Sequence, residues 1–236
     1  MPSVVIDCFQ ESTFRYRRFA TLVVVDVFRA TTTATTALAT GRRVFPARST
    51  DEAFVIASTL ENPILVGELG GNMPYGFDMT NTPDGIAKRA DVERPMVLLS
   101  SSGTELIMAA AGARALALSC FRNFTAVADW ILAKEFEDVA VLGAGTRGQF
   151  RIEDQMGCSW VASRLVDAGY EPATPQTREY IYRWRGAAAE EALKSESAAY
   201  LRNSNQVHDI DFVLAHVDDL RLVPVLRNYE LVSAEE

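Results

Sequence analysis

Cysteine and histidine are scarce in this chain of 236 residues, which has Cys8, Cys120 and Cys158 and only His208 and His216. An odd number of widely spaced thiols does not build a disulfide framework. It fits reduced side chains acting as small core hydrophobes. So few histidines leave no HExxH, no clustered zinc site and no evident Ser-His pair. No run of about 18 apolar residues is present to span a bilayer, and the start, MPSVVIDCFQESTFRYRR, lacks the basic head and long apolar stretch of a signal peptide. A soluble cytoplasmic protein with no membrane partner is expected. Positive charge is also short: 23 Lys and Arg stand against 31 Asp and Glu, a net charge of -8. Phosphate-backbone binding needs clustered cations that release counterions, and here the cations are scattered, so no nucleic-acid partner is expected. Arg15, Arg17 and Arg18 come close together but read as an exposed turn. The composition leaves a homo-oligomer open.

Apolar residues, by contrast, are plentiful. At 48% hydrophobic the chain can fill a well-buried core as one domain over residues 1–236, or as two closely packed lobes. Apolar strands are expected at 22–27, 44–47, from Ile64, at 96–99, at 116–119 and at 138–143. Helical spacing or capping marks 31–40, stopped by Gly41, then 51–60, the stretch after SSSGT, about 125–136, and 152–168. Residues 187–202 read as a polar exposed helix, and period alone does not assign 211–217. The alternation implies an α/β fold, a layered sheet with helices on both faces, in which strand-turn-helix units place a site at the strand carboxyl ends. The Gly- and Pro-rich stretch 67–85 has no period, and so long an irregular loop in a compact domain is usually functional.

The most informative segment is VVVDVFRATTTATTAL, residues 23–38. A strand covered on both faces runs into Asp26 and Arg29, and Thr31, Thr32 and Thr33 then open an Ala-rich helix whose N-H groups and dipole favour an anion. A helix cap with a structural Asp–Arg ion pair is the alternative reading. GAGTRG at 143–148 follows a strand and matches G-x-G-x-x-G, but the acidic residue expected to end the next strand is missing, since Asp167 falls in helical sequence. Cys158 and Arg164 have the C-x5-R spacing of a cysteine phosphatase, without glycines between them to wrap a phosphate. Oxygen donors remain, namely Asp26, Glu68, Asp78, Glu153 and Asp154, each beside a turn or loop. Such a hard set suits Mg2+.

These residues resemble the 2-phosphosulfolactate phosphatases of coenzyme M biosynthesis. The resemblance is carried by DVFRATTT at 26–33, GE at 67–68, GFDMTNTP at 76–83, SSGT at 101–104, AGTRGQFRIED at 144–154 and VP at 223–224, in the family's order across nearly the whole chain. It departs at SSSGT, where Ser102 replaces the Asn of TTNGT, and at Gly143, where Asn often precedes AGT. The resemblance implies an α/β enzyme that hydrolyses a small anionic phosphorylated 2-hydroxy acid with Mg2+. Asp26, Glu68 and Asp154 are the expected metal ligands, and Asp78 a partner or general acid, so that Asp26, Arg29, Asp78 and Asp154 form the catalytic set. Arg29, Arg147 and Arg151 would clamp anions. Thr31, Thr32, Ser102, Gly103, Thr104, Gly145 and Thr146 would supply hydroxyl or backbone donors, and Asn81 and Asn123 would orient substrate. A nucleotide-dependent oxidoreductase using GAGTRG and a non-catalytic anion-binding protein are the competing classes.

Overall fold

A computed structural model describes residues 1–235. The strands are β1 (Ser3–Cys8), β2 (Thr21–Val25), β3 (Val44–Ala47), β4 (Ile64–Gly67), β5 (Met96–Leu99), β6 (Leu116–Ser119), β7 (Asp138–Gly143), β8 (Glu171–Pro172), β9 (Pro224–Arg227) and β10 (Glu230–Ser233). The helices are α1 (Glu11–Tyr16), α2 (Ala30–Ala39), α3 (Thr50–Ser58), α4 (Pro83–Ala87), α5 (Gly103–Ala109), α6 (Phe124–Ala133), α7 (Ile152–Asp167), α8 (Pro175–Trp184), α9 (Glu196–Asn203) and α10 (Val207–Ala215), with a 3-10 helix at Ala189–Lys194. Among the described residues no helix is long and apolar enough to cross a membrane.

The class is α/β, with a single ten-stranded sheet in the order β4-β5-β3-β10-β9-β6-β2-β7-β1-β8. The last five strands of that order are mutually parallel, and so are the first three. Between them β9 and β10 pair antiparallel with each other and with their outer neighbours β6 and β3, so the two parallel halves run in opposite directions. The β9–β10 connection is a tight turn at Asn228 and Tyr229, both with positive φ (49° and 63°), the geometry that a two-residue hairpin requires.

Opposed halves of a flat sheet would put their carboxyl ends at opposite edges. Here the turns after β2 and β7 of the larger half and after β4 and β5 of the smaller border one cavity, and each joint to the hairpin is a single residue pair, Leu231 with Val44 and Ala117 with Val225. One core then serves both: Leu22, Val24, Leu118 and Leu142 from the larger half pack with Val44, Val66, Met96 and Leu98 from the smaller, around Ala34 and Ala37 of α2 and Leu106 and Ile107 of α5. On the opposite face of the larger half, Val127 and Ile131 of α6, Met156 and Val161 of α7 and Ile181 of α8 form a second core, and Ala53 of α3 covers the smaller half with Val97 and Leu99.

Several elements differ from expectation. The N-terminal β1, not anticipated, pairs with β7 along its whole length and with β8 at Ser3 and Val4. The helix expected over 187–202 is broken at Ser195, whose extended backbone ends the 3-10 helix while its Oγ accepts from Ala198 N at 3.1 Å to start α9. Residues 211–215 belong to α10.

The two helices that follow β2 and β5 touch at their first turns. A Cβ placed on Gly103 would lie 2.3 Å from Asp26 Oδ2 and 2.4 Å from Ala30 Cβ, so only glycine lets α5 come this close. Gly103→Ala should lower unfolding stability by about 1–3 kcal/mol, the usual cost of overpacking against a neighbour that cannot withdraw. A denaturation midpoint equal to wild type would show that the helices have room to separate.

Candidate active site

A cavity of about 450 Å³ opens where the carboxyl ends of β2, β4, β5 and β7 converge, with α9 along one wall. Its lining includes Asp26, Arg29, Glu68, Gly70, Gly71, Asn81, Ser100, Ser101, Ser102, Thr146, Arg147, Arg151, Glu196, Ser197 and Tyr200. Local hydrogen bonds shape each contributing turn. Thr31 Oγ1 donates to Asp26 O at 2.7 Å and accepts from Asp26 N at 3.0 Å, while Thr32 Oγ1 donates to Val27 O at 2.8 Å. Thr104 closes the β5 turn in the same way, donating to Ser100 O at 2.9 Å and accepting from Ser100 N at 2.8 Å. These threonine hydroxyls are spent on the backbone and completely buried; they build the turns that present Asp26 and the serines, which leaves Thr31, Thr32 and Thr104 only backbone N–H groups to offer a ligand. Asn123 ties the β6 turn, accepting from Cys120 N at 2.9 Å and donating to Leu118 O at 3.2 Å, and lies outside the lining.

The five carboxylates separate by location. Asp26 and Glu68 face the cavity. Glu68 is held by Ser101 N at 2.8 Å and Ser100 Oγ at 3.0 Å on one oxygen and by Gly71 N at 2.7 Å on the other. Asp154 lies outside the cavity lining, its two oxygens accepting from Val27 N at 2.9 Å and Gly145 N at 3.3 Å. It staples the β2 turn to the β7 turn, and of the three expected metal ligands it is the one outside the cavity lining. Asp78, the expected partner or general acid, is exposed, accepts from Leu65 N of the edge strand β4 at 2.8 Å and lies outside the cavity lining. Glu153 is buried outside the lining.

Burial pushes Asp26 up to about 7; the Ala30 N–H opposes this, the charges of Glu68 and Glu153 add to it, and Arg29 opposes it. Asp154 is held well above the usual carboxylate range by burial and then by Asp26 and Glu153, against the N–H groups of Val27 and Gly145. Among the described residues no group of three or more His, Cys, Asp or Glu side chains is arranged to hold a metal ion. Two cavity-facing carboxylates fit Mg2+, which commonly takes one or two protein carboxylates and completes its shell with water and substrate phosphate. Burial lifts Asp26 most, and the smaller contribution from the charges of Glu68 and Glu153 is what a divalent cation would relieve.

The arginines are less available than their number suggests. Arg29 lines the cavity but donates through Nη1 to Asp209 Oδ2 at 2.8 Å and to Gln206 Oε1. Asp209, fully buried, also accepts from Thr82 Oγ1 at 2.6 Å. Arg151 donates through Nη1 to Gln149 Oε1 at 2.8 Å and pairs with Glu196. Arg147 is exposed on the rim and has no ion-pair partner among the described residues. Asn81 is 1% exposed, lines the cavity and leaves Oδ1 without a hydrogen-bond partner, as an orienting residue would. Sequence reasoning missed Asp209, Gln206, Glu196, Ser197 and Tyr200; all come from the weakly patterned segment after residue 172, which carries no local chemical signal.

The competing motifs have other roles. The glycines of GAGTRG do not open a helix: Thr146 and Gln149 pair back on each other, and α7 begins only at Ile152. Gly145 (φ 62°) is needed because a Cβ would meet Phe9 Cε1 at 2.6 Å and Gln149 O at 2.9 Å. Cys158 is fully buried, its thiol raised by burial and then by Asp154, while Arg164 pairs with Asp129 at 3.1 Å on the surface.

Comparison with known proteins gives a match of residues 8–229 to the family described as 2-phosphosulpholactate phosphatase. A protein of Carboxydothermus hydrogenoformans named probable 2-phosphosulfolactate phosphatase is 33% identical over 205 residues, 86% of this chain and 84% of that one. Similarly named proteins of Deinococcus radiodurans (33% identical, 86% of each chain) and Symbiobacterium thermophilum (31% identical, 90% of this chain and 94% of the relative) are alike over most of their length.

An Asp with its folded pKa raised to about 7 binds its proton more tightly folded than unfolded, where the value is about 4. Stability from this group is therefore full below about pH 4 and is lost as pH rises toward 7. Asp26→Asn should raise Tm above pH 7 by at least about 2–4 °C, the shift expected per kcal/mol in a chain of this size, and leave it unchanged near pH 4. A lower Tm at pH 8 would mean that the ionised carboxylate is stabilising in place.

Proposed function

The chain belongs to the 2-phosphosulpholactate phosphatase family, enzymes that hydrolyse phosphoric monoesters, and from this premise we propose that it cleaves 2-phosphosulfolactate to sulfolactate and phosphate with Mg2+. The observation that carries the reading is the pairing within one cavity of two crowded carboxylates, Asp26 and Glu68, with the guanidinium groups of Arg147 and Arg151. Acids alone would repel a phosphorylated acid, and arginines alone would bind it without a means of cleavage.

Asp26 and Glu68 would hold the Mg2+. Bound there, it would offset charge on the phosphoryl group and make water a better nucleophile. Glu68 is fixed by Ser100, Ser101 and Gly71, so it enters the reaction already oriented. Arg29 is held by Asp209 and presents the rest of its guanidinium to the cavity as a fixed positive charge. Asn81 can donate to or accept from a substrate oxygen with little loss of freedom, since it is already buried. Arg147 and Arg151 suit the second anion of the substrate, the sulfonate or carboxylate beyond the ester. Ser102 lies in the wall at the position where the chain departs from the family's Asn, which makes it a determinant of which tail is accepted. The three buried thiols suit a reducing, cytoplasmic setting.

Phosphate release from 2-phosphosulfolactate should disappear with excess EDTA and return with Mg2+ or Mn2+, and Asp26→Asn should lower turnover at least ~100-fold while the protein stays folded. Full activity in EDTA would remove the metal from the scheme. A simple alkyl phosphate, lacking the second anion, should be a poorer substrate by about ten- to a hundredfold in kcat/KM. Equal rates on both esters would show that Arg147 and Arg151 read nothing beyond the phosphate. Ser102→Asn should shift preference toward the sulfonated ester.

A further inference from the structure

Glu196 has no part in the chemistry outlined above, yet it stands in the cavity wall and pairs with Arg151. The two side chains differ in freedom. Arg151 is 10% exposed at its side chain and is held from behind by Gln149 Oε1 at 2.8 Å, whereas the Glu196 side chain is 68% exposed. Glu196 is the first residue of α9, its backbone anchored by the Ser195 cap, and no cation other than Arg151 pairs with it among the described residues. An ion pair with one partner largely in water is worth little, so the bond is easily exchanged. The guanidinium still has its buried Nε without a partner, so Arg151 is not satisfied by Glu196 and Gln149 alone. A fixed, incompletely bonded cation is thus covered by a carboxylate that is free to leave.

We propose that Glu196 is a specificity-determining residue that occupies Arg151 in place of the substrate's second anion, and that this anion displaces it on binding. The inference rests on the reading of Arg151 as an anion contact in the proposed function. Its consequence is a filter: a ligand must bring an anionic group strong enough to take Arg151 from Glu196, and a monoanion that meets only the metal end of the site gains nothing there. Removing the Glu196 charge leaves Arg151 uncompensated, which favours any anion that reaches it.

The test is direct binding, independent of turnover. Methanesulfonate, a single sulfonate, would be titrated calorimetrically into wild type, Glu196→Gln and the double variant Arg151→Gln/Glu196→Gln. Because Glu196 is exposed, the single variant should fold as wild type does, checked by an unchanged Tm. The expected result is binding about tenfold tighter to Glu196→Gln than to wild type, lost in the double variant, together with a lower KM for 2-phosphosulfolactate at unchanged kcat. Equal affinity of wild type and Glu196→Gln, or a gain that survives loss of Arg151, would overturn the proposal while leaving the phosphatase reading intact. Tighter binding without hydrolysis of 2-phosphosulfolactate would instead support the exchange at Arg151 and remove the substrate assignment.

Discussion

The contact between Gly103 and the Asp26 carboxylate ties the architecture to the chemistry. Two strand-to-helix turns, from half-sheets that run in opposite directions, press together there with no room for a Cβ. The β9–β10 hairpin stands between the halves, joined to each by a single residue pair, and the carboxyl ends of both halves border one cavity. In a uniformly parallel sheet one row of turns would have to supply every functional group. Here the larger half brings Asp26 and the smaller brings Glu68 and the serines, and the shared core of α2 and α5 keeps the two sets in register.

Concentrating carboxylates at this junction opposes stability. Burial is the main obstacle to keeping Asp26, Asp154 and Glu153 ionised, and for Asp26 and Asp154 the charges of neighbouring carboxylates add to it. The fold offsets part of this by directing backbone N–H groups at Asp26 and Asp154. The remainder is a cost to stability of the kind commonly found at an enzyme centre.

Positive charge around the cavity is arranged with similar restraint. Arg29 answers to a buried Asp209 and so behaves as part of the scaffold, Arg151 answers to an exposed Glu196, and Arg147 at the rim has no ion-pair partner among the described residues. Three arginines that look equivalent in sequence therefore differ in how far each can respond to a ligand. The difference lies in the burial of the partner, because a carboxylate in water gives up its cation cheaply and one sealed in the core does not.

The sequence by itself determined the α/β class, the strand-turn-helix units over residues 22–40 and 96–109, and the family. All of these rest on local pattern: a continuous apolar run, a helix cap, a Gly stop, a contiguous motif. What the tertiary structure decided was which of the motif residues share a space. Asp78 and Asp154 lie in motifs as strong as that of Asp26, yet one caps an edge strand and the other staples two turns, since a carboxylate's role depends on which backbone N–H groups lie opposite it and those come from distant segments. Thr31 and Thr104 read as ligand donors until their hydroxyls are seen closing their own turns. Glu196 and Asp209 carried no signal at all, because their function exists only through arginines 45 and 180 residues away along the chain. Periodicity and capping act over a few residues and can be read from order alone, whereas electrostatic pairing acts through space and is fixed only when the two halves of the sheet have closed on each other.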